Sequence, residues 1–405
     1  MTAPFRLNTR KPHTLTLILL TGFAAFSTVI VGPSLPAITH AFQISAGHAQ
    51  GLVTIFLLGY ACGQLLYGPL ANRFGRIRTF YMGLSLAIAA AVLCLGAQLL
   101  HNFLLLEIGR FLEAVGACCG LVVSYTIVSD FYHAQQARAI YSYLTIAFAL
   151  SPAVATVLGG MLQQYFNWAG AFYFLFFYGI FLLFIASRLP ETSSDRDYQA
   201  LHPRKLFHNY LQVFKNRFLV LNALIYGMST MCAYVYVAEA PFIMIKHLGL
   251  SPASYGWLAM LPFLGVLVGA LSGPKIVRYF SSQQIIKYGL VIEFVVALLL
   301  LMLFACNIIT LFSFLMPMII FMYIHSLVLS NCTTMALQNI KDRSNASAVF
   351  SFLFMMPPVI GNLALDLFPV NKPIYLPLIF LIALLLYAVF YYQGYIRNAG
   401  STIAN

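Results

Sequence analysis

The sequence predicts an all-α integral membrane protein of twelve transmembrane helices, arranged as two parallel six-helix pseudo-repeats. Three observations carry that prediction. Of 405 residues, 61% are hydrophobic and 8% are charged, where an average soluble domain has about 45–50% and about 25%. Basic residues collect on alternate sides of the apolar runs, and the two halves of the chain repeat each other at a fixed offset. The composition excludes an ordinary cytosolic enzyme, a secreted disulfide scaffold and a disordered chain. A net charge of +12 would suit nucleic acid if it lay on a watery surface. Here the basic residues sit between apolar runs, so no nucleic-acid partner is expected.

Crossing the hydrocarbon core takes about 20 mostly apolar residues. Such runs are centred near Ala25, Gly59, Ala89, Leu121, Leu150 and Gly179, then near Met231, Leu264, Leu298, Phe321, Met356 and Leu384. The first, from about His13 to Pro36, is too long for a signal-peptide segment and has no small-residue cleavage pattern after it. It reads as a retained helix. The fifth and eleventh contain Pro152 and Pro357, which disfavour helix continuation. The mixed-charge stretch 188–217 reads as a cytoplasmic linker between bundles 1–187 and 218–405.

Orientation follows from the positive residues. Arg6, Arg10, Lys11, Arg73, Arg76, Arg78, Arg138, Arg188, Arg196, Arg204, Lys205, Lys215, Arg217, Lys275, Arg278, Lys287, Lys341, Arg343 and Arg397 fall on one side, and Lys246 and Lys372 on the other. That split predicts both termini in the cytoplasm. The repeat is read by subtraction: Gly68-Pro69, Arg73, Arg138 and Pro152 recur as Gly273-Pro274, Arg278, Arg343 and Pro357, each 205 positions on. Parallel halves are the architecture of carriers whose site lies between them.

The seven cysteines lie in apolar stretches at no metal-ligand spacing, and no nucleophile constellation or phosphate loop is present. Neither an enzyme nor a cofactor is expected. Charge inside a bilayer is costly, so each intramembrane charge is a candidate. Glu107, Arg110 and Glu113 follow one inclined stripe of the fourth span. A buried Arg110 holds a neighbouring carboxylate ionised, or ties helices together. Glu239, one turn from Tyr236, is the other proton-carrier candidate; the alternative is a periplasmic-end glutamate in water. Glu293 is expected to pair with Lys287 or Arg278 or to snorkel, and His325 to be a neutral, hydrogen-bonded histidine. Asp130 is placed near a span end and Glu191, Asp195, Asp197 and Asp342 in cytoplasmic loops. Tyr60, Tyr226, Tyr234, Tyr236 and Phe263 are placed at a central cavity suited to bulky amphiphilic solutes.

Gly68, Leu70, Asn72, Arg73, Gly75 and Arg76 resemble the G-x-L-x-D-R-x-G-R loop of the major facilitator superfamily. The run Phe56–Pro69, with Leu35-Pro36, Gly109-Arg110, Leu189-Pro190-Glu191-Thr192 and Gly249-Leu250-Ser251-Pro252, resembles its Bcr/CflA group of drug:H⁺ antiporters. Pro152 with Gly159-Gly160 is similar to the antiporter motif of the fifth helix. The resemblance implies a proton-coupled exporter of small hydrophobic or amphiphilic compounds in a bacterial inner membrane, working by alternating access. It implies a small-molecule substrate, protons and lipids as partners, and a monomer. A siderophore or metabolite carrier, with Arg110 meeting an anionic cargo, is the alternative; a transport-inactive sensor is a third reading. Two departures matter. The family's loop Asp is Asn72, which implies a weaker latch or a cap on the next helix. The first span carries no acid in Ser27–Pro33, so any proton carrier has moved, to Glu239 or Glu113.

Overall fold

The computed structural model describes residues 11–193, 196–338, 340, 343–366 and 372–396. Arg6, Arg10, Asp195, Lys341, Asp342 and Arg397, and the side chains of Arg343 and Asp366, lie outside the described residues. Every regular element among the described residues is helical. The first six apolar helices are α1 (Thr14–Phe42), α2 (Ala46–Phe74), α3 (Arg76–Leu100), α4 (Phe103–Phe131), α5 (Ala134–Phe166) and α6 (Gly170–Ala186). A polar helix, α7 (Pro203–Phe214), lies in the linker. Six more follow: α8 (Arg217–His247), α9 (Pro252–Ile276), α10 (Ser282–Ala305), α11 (Leu311–Leu337), α12 (Arg343–Asp366) and α13 (Tyr375–Ile396).

Eleven of these are long and apolar enough to cross a membrane; α6 is apolar but shorter. Its 17 residues rise only about 26 Å. The fifth and eleventh spans form without a break: α5 runs 33 residues through Pro152 and α12 runs 24 through Pro357 and Pro358. Polar caps start several spans. Ser45, Asn102, Asn216, Ser251, Ser281 and Thr310 each accept a hydrogen bond from a first-turn N–H. Those donors would otherwise be orphaned.

The offset of 205 maps helix onto helix. Applied to α3 it gives 281–305, against Ser282–Ala305; applied to α6 it gives 375–391, against Tyr375–Tyr391. The packing obeys the same relation. Contacts that cross between the halves run chiefly along α5 with α9 and along α2 with α12. Since α2 corresponds to α9 and α5 to α12, each seam is the image of the other. The linker helix bridges them on the side of the termini: the Tyr210 hydroxyl donates to the Leu65 carbonyl of α2 at 2.7 Å, and Phe214 meets Phe352 of α12 edge-on.

Candidate functional site

The fourth span brings Arg110 and Glu113 together and leaves Glu107 apart. Arg110 Nη1 donates to Glu113 Oε2 at 3.0 Å and to the Ser27 carbonyl of α1 at 3.2 Å. Its guanidinium lies 4.3 Å from the centroid of Phe56 on α2, where the ring face adds cation–π attraction. Both charged side chains are 1% exposed. Their partners all belong to the first six helices, so the pair lies inside that bundle. In this arrangement Arg110 is enclosed by Glu113, Ser27 and Phe56. Glu107, near the start of α4, is only half buried.

Glu239 stands at a crossing point between the halves. It is 3% exposed and lies near the end of α8. There the fully buried Gln50 of α2 donates its amide to Glu239 Oε2, a short contact, and reaches the Ala238 carbonyl at 3.5 Å. Neither the exposed periplasmic-end glutamate nor a bond to Tyr236 is what forms. The Tyr236 hydroxyl has no hydrogen-bond partner among the described residues, and its ring packs on Phe314. Gln50 was missed by sequence reasoning. An uncharged amide in an apolar helix gave no signal of its own.

Of the five aromatics expected at a cavity, three converge. Tyr60 of α2 lies within electrostatic range of Tyr226 and Tyr234 of α8. Tyr226 continues into a ring cluster with His325, Phe350 and Phe354. Tyr236 instead fills space beside Phe314, and Phe263 is buried on α9. The Tyr60–Tyr226–Tyr234 group draws on both halves of the chain.

The second-to-third turn is a polar knot. Gly75 alone separates α2 from α3, with φ +93, a conformation that glycine adopts freely. A Cβ there would also sit 2.6 Å from Glu191 Oε2. The Glu191 carboxylate caps α3, accepting from the Arg76 N–H at 2.9 Å and the Ile77 N–H at 3.2 Å. Acidic groups suit that helix end. Arg76 Nε donates to Asp130 Oδ2 at 2.8 Å, and Arg76 Nη1 to the Ala71 carbonyl at 2.7 Å and Asn72 Oδ1 at 3.4 Å. Asn72 thus does not cap α3; its side chain turns back to Arg76, and its carbonyl accepts from the Asp197 N–H. Arg73 donates to the Tyr198 carbonyl. Asp130 and Glu191 supply the acids around the loop where position 72 has none, although the sequence places them only at a span end and in a loop.

The glycine pair of α5 works on two sides. A Cβ on Gly159 would overlap the Ile30 carbonyl of α1, and one on Gly160 would overlap Pro252 and Gly256 of α9. Gly256 in turn faces the Thr156 carbonyl. Backbone-to-backbone approach of this kind needs small residues on both helices. The seam at Gly160–Gly256 and the bond at Gln50–Glu239 both lie at the end of the bundle carrying the α1–α2, α5–α6 and α8–α9 turns. Gly68 sits inside α2, just before Pro69. Glu293 does not pair with Lys287 or Arg278; it is fully buried and accepts a hydrogen bond from Ser229.

Among the described residues, no group of three or more His, Cys, Asp or Glu side chains could hold a metal ion. Comparison with known proteins identifies a family and several relatives. The model of the Major Facilitator Superfamily matches residues 17–362. An uncharacterized transporter of Rickettsia felis is 27% identical over 331 residues, covering 79% of this chain and 80% of that one. A bicyclomycin resistance protein homolog of Haemophilus influenzae is 23% identical over 283 residues, covering 69% and 70%. Among solved structures, a D-xylose-proton symporter superposes with a TM-score of 0.77 at 16% identity, covering 94% of this chain and 97% of that one. At that identity the likeness is one of fold.

Proposed function

The chain belongs to the major facilitator superfamily, and on that premise we propose that it exports small hydrophobic or amphiphilic compounds in exchange for protons. The two bundles, 1–187 and 218–405, rock about a site between them, with 188–217 as the cytoplasmic tether. The protein works as a monomer in a bacterial inner membrane with both termini in the cytoplasm. The Gln50–Glu239 contact carries this reading. It joins the halves at the end that the charge asymmetry assigns to the periplasm, so opening to that side requires breaking it.

A carboxylate without a countercharge is expensive in an apolar site, and Gln50 offers hydrogen bonds but no charge. In the closed arrangement Glu239 is therefore carried neutral. When the periplasmic seam opens, water reaches the carboxyl and it exchanges its proton. Seam closure and proton occupancy thus favour each other, and release of that proton towards the cytoplasm as cargo loads completes the exchange. Tyr60, Tyr226 and Tyr234 provide aromatic faces and phenol hydroxyls for a cargo loaded from the cytoplasmic side. The name of the Haemophilus influenzae relative, a bicyclomycin resistance protein homolog, supports a drug-like cargo. An anionic metabolite read through Arg110 loses its support, because Arg110 is enclosed by Glu113, Ser27 and Phe56.

The test uses purified protein in liposomes with an imposed pH gradient and two probes, bicyclomycin and a lipophilic cationic dye. Gradient-driven flux is expected in the wild type and should fall to the gradient-independent level in Glu239→Gln. Flux through Glu239→Gln that still responds fully to the gradient would overturn the assignment of Glu239.

A further inference from the structure

Away from the crossing site, three helices bring one polar group each to the same depth. Ser229 is the middle residue of the α8 stretch Arg217–Pro241, Glu293 is at the centre of α10 (Ser282–Ala305), and His325 is next to the centre of α11 (Leu311–Leu337). Ser229 Oγ lies 2.7 Å from Glu293 Oε1 and 2.8 Å from His325 Nδ1. All three residues are buried, Ser229 and Glu293 completely. Glu293 Oε2 has no hydrogen-bond partner among the described residues, and none of the ion pairs among them includes Glu293.

Among the described residues, nothing around Glu293 supplies a compensating charge. The titratable groups within electrostatic range of Glu293 are Cys232 of α8, Cys332 of α11 and Tyr387 of α13, whose hydroxyl is committed to the Ile286 carbonyl at 2.9 Å. His325 stacks on Tyr226 at 5.4 Å and near Phe321, and α12 adds Phe350 and Phe354 around Tyr226. A carboxyl at mid-depth in such a place is costly, which makes it a functional candidate.

A serine hydroxyl owns one proton, so it donates to one neighbour while accepting from the other. With Glu293 ionised, Ser229 donates to the carboxylate and accepts from His325 Nδ1–H. With Glu293 protonated, its O–H donates to Ser229, and Ser229 donates to a bare Nδ1 on an imidazole that keeps its proton on Nε2. Both arrangements keep both hydrogen bonds. One proton converts the first into the second. It binds at His325 Nε2, the Nδ1 proton passes to Ser229, and the Ser229 proton passes to Glu293. The cluster goes from one negative charge to neutral, and every atom is accounted for.

We propose that Glu293, Ser229 and His325 form a second proton-binding site, within the C-terminal bundle and independent of Glu239, with His325 as the port and Glu293 as the store. Infrared difference spectra of the purified protein, recorded as pH is stepped, test it through the carboxylic C=O stretch. A buried-acid band that titrates should be present in the wild type, persist in Glu239→Gln and vanish in Glu293→Gln. Ser229→Ala and His325→Asn should move its midpoint by about one pH unit or more, a tenfold change in proton affinity. A band lost in Glu293→Gln but constant with pH would make Glu293 a permanently protonated packing acid and overturn the proposal. So would a band that titrates identically in Ser229→Ala and His325→Asn. If Glu293→Gln does not fold, Glu293→Asp should shift the band's frequency, and an unshifted titrating band would equally overturn it. Because Glu239→Gln is read separately, failure here is distinguishable from failure of the Glu239 assignment.

Discussion

Arg110 and Glu113 show how a residue pair can be costly and necessary at once. Each is almost fully enclosed, and two ions taken out of water are held mainly by each other. Removing one partner strands the other. Arg110→Leu should therefore destabilise the protein by about 3–5 kcal/mol, read as a lowered melting temperature in detergent. Arg110→Leu combined with Glu113→Leu should recover most of that loss, since no charge is left behind. A double variant as unstable as the single one would show that Arg110 acts through Ser27 and Phe56 instead. At this scale the acids were legible in the sequence as a short list, because charges inside apolar runs are conspicuous. Their partners were not. Gln50, Ser229 and Ser27 are uncharged polar residues whose importance comes from where they are brought.

At the scale of elements, the packing of α5 decides how the halves meet. Its glycines remove side chains where α1 and α9 approach, and Gly256 does the same from the other side. Gly160→Val should leave the spans folded, because the change lies at a seam between bundles, while holding that seam apart. Transport is expected to fall about tenfold or more, equivalent to roughly 1.4 kcal/mol against the closed arrangement, with melting temperature little changed. An equal loss of both would place Gly160 in the folding core instead. The second-to-third turn gives the complementary case. Asn72 removes an acid, yet Arg76 still finds one in Asp130, and Glu191 supplies the cap that α3 lacks within its own turn. Motif reading located this loop because Gly75 and the arginines are local features. It could not find Asp130 or Glu191, which lie 54 and 115 residues from Arg76 in sequence.

For the whole molecule, the basic residues set the frame. Nineteen of the 22 Lys and Arg fall on one side of the alternating spans, which predicts cytoplasmic termini. Reporter fusions check this: a C-terminal fluorescent protein should mature, and a C-terminal alkaline phosphatase should stay inactive. The opposite pattern would invert the periplasmic assignment of the Gln50–Glu239 end, and with it the direction of proton entry.

The number of spans, the parallel repeat and the family motifs followed from sequence alone, because a bilayer imposes apolar length on each helix and a duplicated fold preserves spacing. The 205-residue offset between short motifs proved to be the offset between whole helices. Which polar groups meet was decided only by tertiary structure. Glu239 faces Gln50 across the seam, Glu293 and His325 meet through Ser229, and Arg110 is sealed within one bundle. Each outcome depends on the rotation and depth of helices packed against one another, and hydropathy and spacing along one chain carry no measure of either.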